Sequence, residues 1–334
     1  MTVSARTPSA LAAALRDIQS PVRGELEAVP GEIRRIVTAD VPLVQEVGEH
    51  LLRMKGKLLR PTLTLLSSAV EDRAQPRAIT CAAVVELLHL ATLIHDDAVD
   101  HSVLRRGMPT VNALFSHQIS VIMGDFLYSR VMRELVKLGD IEIMRAVSNA
   151  SDAMTLGEMR QLAAFDALAF TEADYERLIR AKTAALFVAA CSVGALCGAP
   201  THRDALARYG ERLGMAFQVA DDLLDYTETA EMTGKPSGLD LREHKVTLPL
   251  IAALPRMSAA SRGRVDELFA TTQPDEAAVA DVISIVHDSG GLEYARSRAD
   301  QFASEAEEAL VSVPNSPAKS TLLDAIGYAV DRRW

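Results

Sequence analysis

Apolar and polar residues alternate along this chain with the three-to-four-residue step of helices, and strand-like alternation is almost absent. The pattern predicts helices at roughly 9–22, 40–54, 59–72, 76–101, 111–138, 140–165, 171–198, 201–228, 247–256, 260–270, 275–288, 291–311 and 317–332. Thr171-x-x-Asp174 and Thr201-x-x-Asp204 read as capping signals ahead of apolar runs. Breaks fall at Pro30-Gly31, at Gly107-Met108-Pro109 and across 232–241. No stretch reads as a linker and no solenoid period appears. The expectation is one all-α domain over 1–334, a bundle of about ten to thirteen helices.

The helical pattern turns acidic in two places. From Val84 to Thr110 an apolar run ends in Asp96, Asp97 and Asp100, then meets Arg105 and Arg106. Residues four apart on a helix share a face, so Asp96 and Asp100 lie about 6 Å apart at their Cβ atoms. His89, two turns earlier, falls on nearly the same stripe. The rest of this helix reads as buried, and carboxylates are rarely buried without a partner. The spacing recurs at Asp221, Asp222 and Asp225, with Gly214 and Gln218 on their carboxylate stripe. Two such helices facing each other present four carboxylates to one cavity. All-oxygen ligands that leave room for water and phosphate suit Mg²⁺ better than Zn²⁺.

Composition narrows the classes. Hydrophobic residues make up 49% of 334 and aromatics only 4%, which favours closely packed Ala- and Leu-rich helices. The formal charge of −10 argues against nucleic acid as a partner. Cys81, Cys191 and Cys197 lie in apolar helical stretches without metal spacing and read as reduced core residues of a cytoplasmic protein. The N-terminal segment lacks the apolar run and cleavage signal of a secretory leader. The uncharged stretch Thr183–Pro200 approaches membrane-spanning length, but its Ala, Ser, Cys and Gly content reads as a buried helix.

With two ordered aspartate motifs and basic residues between them, the chain from about Leu51 onward resembles the trans-polyprenyl diphosphate synthases. The resemblance implies a single-domain helical bundle around a deep central cavity, the type I isoprenoid synthase fold. It implies condensation of isopentenyl diphosphate with an allylic diphosphate, farnesyl or geranylgeranyl diphosphate, using two to three Mg²⁺ ions. Carried over residue by residue, Lys57, Arg60, His89 and Arg106 hold the diphosphate of isopentenyl diphosphate. Arg105, Lys182 and Thr183 lie beside the allylic diphosphate, and Lys235 and Lys245 close over the phosphates. Gln218 joins the substrate contacts, and Glu158 and Gln161 match a polar pair on the cavity wall. Asp96, Asp100 and Asp221 are the principal metal ligands, with Asp97, Asp222 and Asp225 less directly placed. The catalytic set is thus Asp96, Asp100, Arg105, Lys182, Asp221 and Lys245. His244 stands where many relatives carry glycine.

Product length follows the same logic. Short-product relatives place an aromatic residue five positions before the first aspartate, where this chain has Ala91. The expectation is a product of about C35–C50 for quinone side chains, with Leu88 and Met123 as candidates for a deeper floor. The resemblance also implies a homodimer, with an apolar face on helix 111–138, and transient membrane contact at product release.

Other classes fit less well. A short-chain synthase would carry the aromatic plug, and a non-catalytic partner subunit typically lacks one or both aspartate motifs. A terpene cyclase needs no second diphosphate pocket, leaving Lys57, Arg60 and Arg106 without a role. A di-iron bundle needs two Glu-x-x-His motifs, and only Glu86-x-x-His89 is present.

Overall fold

The computed structural model describes residues 8–54, 56–105, 107–162, 167–227 and 238–330. Long helices dominate: α1 Pro8–Gln19, α2 Arg23–Val37, α3 Pro42–Arg53, α4 Leu59–Ser68 and α5 Pro76–Val99. They continue with α6 His117–Leu138, α7 Ile141–Leu162, α8 Glu172–Ile179, α9 Ala185–Gly198 and α10 Arg203–Thr227. The C-terminal third adds α11 Leu248–Ala253, α12 Ala259–Ala270, α13 Glu276–Asp288, α14 Gly291–Ala309 and α15 Pro317–Val330. Among the described residues the strands are limited to a two-stranded antiparallel hairpin, Leu104–Arg105 with Met108–Pro109.

The apolar helix α9 sits at the centre and packs on α4, α5, α7 and α10. Its residues from Ala189 to Ala195 are all buried. Gly194 lets the backbone of α4 come so close that a Cβ there would lie 2.1 Å from the Thr64 carbonyl oxygen. The stretch Glu172–Gly198 is long and apolar enough to cross a membrane, as is Pro76–Val99, but 61% of an 18-residue apolar segment in each is buried inside the bundle. The three cysteines are buried and free.

Several local expectations needed correction. Pro30-Gly31 does not break the chain: Pro30 lies inside α2. Leu26, Val29, Ile33 and Ile36 form one buried stripe against α5, and burying it outweighs the roughly 3 kcal/mol that an internal proline costs. The predicted helix 111–138 is interrupted at Phe115, and α6 starts afresh with the Ser116 hydroxyl accepting from the Ile119 amide. Thr171 and Asp174 do form a capping box on α8. Thr201 does not cap α10; its hydroxyl donates to Glu71, because Pro200–His202 forms a 3₁₀ turn before the helix.

Between α8 and α9 the chain takes a π turn, Arg180–Ala184, which the sequence pattern does not reveal. Such widened turns recur at functional sites. Glycines on both neighbours admit it: a Cβ at Gly157 of α7 would lie 3.0 Å from Ala181 Cβ, and one at Gly214 of α10 only 2.7 Å from Ala184 Cα.

Candidate active site

The stripe Glu86, His89, Leu93 and Asp96 of α5 lines a cavity of about 680 Å³. Across it α10 contributes Phe217, Gln218 and Asp221. The two acidic motifs therefore open onto the same space, one carboxylate from each facing in. Asp100 is the C-cap of α5 and is exposed. Carboxylates at the C-terminal end of a helix meet the negative end of its dipole, so this placement favours a cation as their partner.

The electrostatics agree. Burial pushes Asp96 up to about 6, with Glu158 and Asp100 adding to the shift and Lys182 and Arg105 opposing it. Lys182 and Thr183, in the π turn, line the same cavity. Lys182 Nζ lies 2.6 Å from Glu158 and donates to Gln161 at 3.1 Å, so the predicted polar pair on α7 holds the lysine. Burial lowers Lys245, but Glu243, Asp100 and Asp240 together raise it above the ordinary lysine range. Lys245 stands at a neighbouring cavity of about 380 Å³, which shares Lys182, Thr183 and Gln218 with the first.

The basic end is built around a strained turn. Leu58 adopts a left-handed backbone with φ +49°, between Lys57 and Arg60, both of which line the cavity. For a non-glycine residue that conformation costs roughly 1–2 kcal/mol. Arg60 stacks over the Phe187 ring at 4.8 Å and lies 3.1 Å from His89 Nε2. A guanidinium can only donate, so Nε2 accepts and the imidazole carries its proton on Nδ1. His244 also has a positive φ, +54°, which explains why glycine suits its position; its ring contacts the Thr271 carbonyl and Phe269.

Asp97, Asp222 and Asp225 are each held by identifiable partners within the protein. Asp97 is buried and gripped by Arg105, whose Nε donates to both its oxygens at 2.9 Å. Asp222 is buried and accepts from the Tyr175 hydroxyl at 2.5 Å and from Gln218 Nε2 at 2.7 Å. Burial pushes its carboxyl well up, and these two donors pull it back. Asp225 accepts the backbone N–H groups of Leu239 and Asp240, both at 2.9 Å, and so anchors the chain that follows 228–237. Burial and Asp225 push Asp240 up to about 7.

Arg106 and Lys235 lie outside the described residues. Ala91, Leu88 and Met123 are all buried and stand apart from the lining of the larger cavity. Its apolar lining includes Leu93, Met154, Leu186 and Phe217, which sequence reasoning missed. Leu93 shares the stripe of His89 and Asp96 and was detectable by spacing; Met154 and Leu186 come from other helices and were not.

The residues fit a divalent cation. Asp96 is a desolvated carboxylate that lines the same cavity as Asp221. Among the described residues no three acid, histidine or cysteine side chains converge into a ready-made cage. An ion held here would complete its shell with water and substrate oxygens, as Mg²⁺ prefers.

Among helical folds, this arrangement defines the type I isoprenoid synthase class. The chain belongs to the polyprenyl synthetase family, whose model matches residues 41–286, and it is accordingly a prenyltransferase. It is 38% identical to the all-trans-nonaprenyl-diphosphate synthase (geranyl-diphosphate specific) of Rhodobacter capsulatus, over 95% of this chain and 98% of that one. It is 35% identical to the octaprenyl diphosphate synthase of Escherichia coli, over 95% of this chain and 99% of the relative. A solved decaprenyl diphosphate synthase from Rhodobacter capsulatus superposes with a TM-score of 0.90 at 36% identity, covering 96% of this chain and 99% of that chain. A polyprenyl synthase from Caulobacter crescentus, complexed with calcium and isoprenyl diphosphate, gives a TM-score of 0.89 at 33% identity, covering 96% and 98%.

Proposed function

We propose that this protein is a Mg²⁺-dependent chain-elongating synthase that adds isopentenyl diphosphate repeatedly to an allylic diphosphate, giving an all-trans product of about C35–C50. The observation that carries the reading is the pairing of Asp96 and Asp221 across one cavity, with Lys182 beside them and Lys57, Arg60 and His89 at the same cavity. Two anionic groups thus have two separate sets of partners. The names of the relatives, octaprenyl to decaprenyl synthases, support the product class.

In the proposed reaction the allylic C–O bond breaks and diphosphate leaves with the bonding pair. The double bond of isopentenyl diphosphate attacks the allylic cation, and loss of a proton restores an allylic alkene five carbons longer. Asp96, Asp100 and Asp221 would hold the metal, in two to three ions. Bound Mg²⁺ supplies Lewis-acid neutralisation of the diphosphate charge. Lys182 and Arg105 add fixed positive charge where the leaving group's negative charge grows, and Lys245 and Lys235 close over it. Lys57, Arg60, His89 and Arg106 orient the second diphosphate; Thr183 and Gln218 complete the substrate contacts. Leu93, Met154 and Phe217 keep water from the cation. The departing diphosphate accepts the proton. The tail grows away from Asp96 past Ala91, with Leu88 and Met123 near its end.

The exposed apolar side chains of α6 and α7, including Ile122, Val136, Ile141 and Met159, support a homodimer through this face. A cytoplasmic location with transient membrane contact at product release fits so apolar a product, and Val103 and Leu104, exposed beside Arg105, offer apolar surface for it. The test is incubation of the purified protein with isopentenyl and farnesyl diphosphates and Mg²⁺, followed by mass analysis. Long-chain polyprenyl diphosphates are expected; no elongation, or a single addition that stops at four isoprene units, overturns the reading.

A further inference from the structure

Asp222 has the sequence position of a metal ligand but a different environment from Asp221. It borders the neighbouring cavity beside Lys245 and not the larger one, is 6% exposed, and has both oxygens occupied from within the protein. The donor to Oδ2 is Tyr175, a residue 2% exposed whose hydroxyl stands 2.5 Å away. The donor to Oδ1 is Gln218, whose own carbonyl oxygen accepts from the Thr183 hydroxyl at 2.8 Å. Thr183 follows Lys182 in the π turn. A continuous line of hydrogen bonds therefore runs from α8, through the second aspartate motif, to Thr183, whose chain neighbour Lys182 lines the cavity with Asp96.

Tyr175 is a suitable fixed end for such a line. It sits on a short helix closed by the Thr171–Asp174 capping box. That helix is tied to α14 by Arg298, which pairs with Glu172 at 3.2 Å and with Glu176. The helix runs on through the π turn into α9, so these ties together with that continuity fix where its tyrosine stands.

We propose that Tyr175 is a positioning residue of the active site. Through Asp222 it fixes the rotation of α10 that turns Asp221 into the cavity, and through Gln218 it fixes Thr183 beside Lys182. Asp222 then serves as the acceptor at the centre of this line and not as a metal ligand. The inference rests on the synthase reading, so its test includes a readout independent of turnover.

Tyr175→Phe removes one oxygen and leaves the ring in the core. The expected result is a rise of about tenfold in the Mg²⁺ half-saturation of turnover and in KM for the allylic diphosphate, the size of one lost charge-assisted hydrogen bond. KM for isopentenyl diphosphate should stay near wild type, and the melting temperature should fall only by a few degrees, because Gln218 still donates to Asp222. Asp222→Asn reads the same line from its centre, and the double variant should be no worse than the poorer single one. The independent readout is binding of Mn²⁺ with inorganic diphosphate, followed by electron paramagnetic resonance. Here Tyr175→Phe should weaken affinity about tenfold with unchanged stoichiometry, even if wild type elongates nothing. Wild-type Mn²⁺ affinity in Tyr175→Phe overturns the proposal. So does loss of a bound ion in Asp222→Asn, or a general rise of both KM values with a collapsed melting temperature.

Discussion

Arg105 grips Asp97 with a short bidentate contact, Nε at 2.9 Å from both carboxylate oxygens and Nη2 at 2.8 Å from Oδ1. The two residues are eight apart, one on α5 and the other in the hairpin after it. The carboxylate is 6% exposed and the arginine 33%, so the pair links the helix end to the loop that carries positive charge into the cavity. Removing the arginine strands a buried charge. Arg105→Ala should cost roughly 3 kcal/mol of stability, and a double-mutant cycle with Asp97→Ala should return a coupling above about 1 kcal/mol. Urea denaturation of the four proteins measures it, and a coupling near zero would show that the contact does not link loop to helix. Mg²⁺ half-saturation should move far more in Asp96→Asn than in Asp97→Asn.

Asp96 gives a pH signature. Burial holds its proton to about pH 6 in the folded chain, whereas the unfolded chain releases it in the ordinary carboxylate range. Between those values the folded chain binds the extra proton, so stability falls as pH rises through the window and the cost is complete above it. That cost is on the order of 3 kcal/mol. Asp96→Asn should therefore melt higher than wild type at pH 8 without metal and show little advantage below pH 4, while losing activity. In wild type, turnover should fall below about pH 6, and more Mg²⁺ should move that limb to lower pH. A melting advantage that grows as pH falls would contradict this assignment.

Helix contact at the core is equally testable. A Cβ at Gly194 would lie 2.1 Å from the Thr64 carbonyl oxygen, a backbone atom that moves only with α4. Gly194→Ala should destabilise by roughly 1–3 kcal/mol. It should also raise KM for isopentenyl diphosphate, because α4 carries Arg60. Calorimetry and steady-state kinetics check both effects, and an unchanged melting temperature would show that the seam is loose.

Chain length is read at Ala91. It shares a face of α5 with His95, which sits against Gly124 of α6. Ala91→Phe fills the seam between those helices and should shorten the products by several isoprene units, as seen by mass spectrometry. Unchanged products would place the floor instead at Met154, on the cavity wall.

These residues also mark what the sequence disclosed. Helix-forming stripes and the four-residue aspartate spacing depend only on local periodicity, so α5, α10 and the facing of Asp96 and Asp221 were legible. Helix α2 was not, because Pro30 reads as a breaker until the stripe it interrupts is seen packed on α5. The partners of Asp97 and Asp222 were illegible for a different reason. Asp222 meets Tyr175 from 47 residues away, and no spacing rule tells a metal-facing carboxylate from one committed to a tyrosine.

The most direct measurement is a crystal structure with Mg²⁺ and an unreactive allylic thiodiphosphate. The account predicts metal density between Asp96 and Asp100 on one side and Asp221 on the other, bracketing one diphosphate, with Lys182 on its oxygens and Asp222 still bonded to Tyr175. A diphosphate bound away from either aspartate helix, or with only one motif engaged, would contradict it.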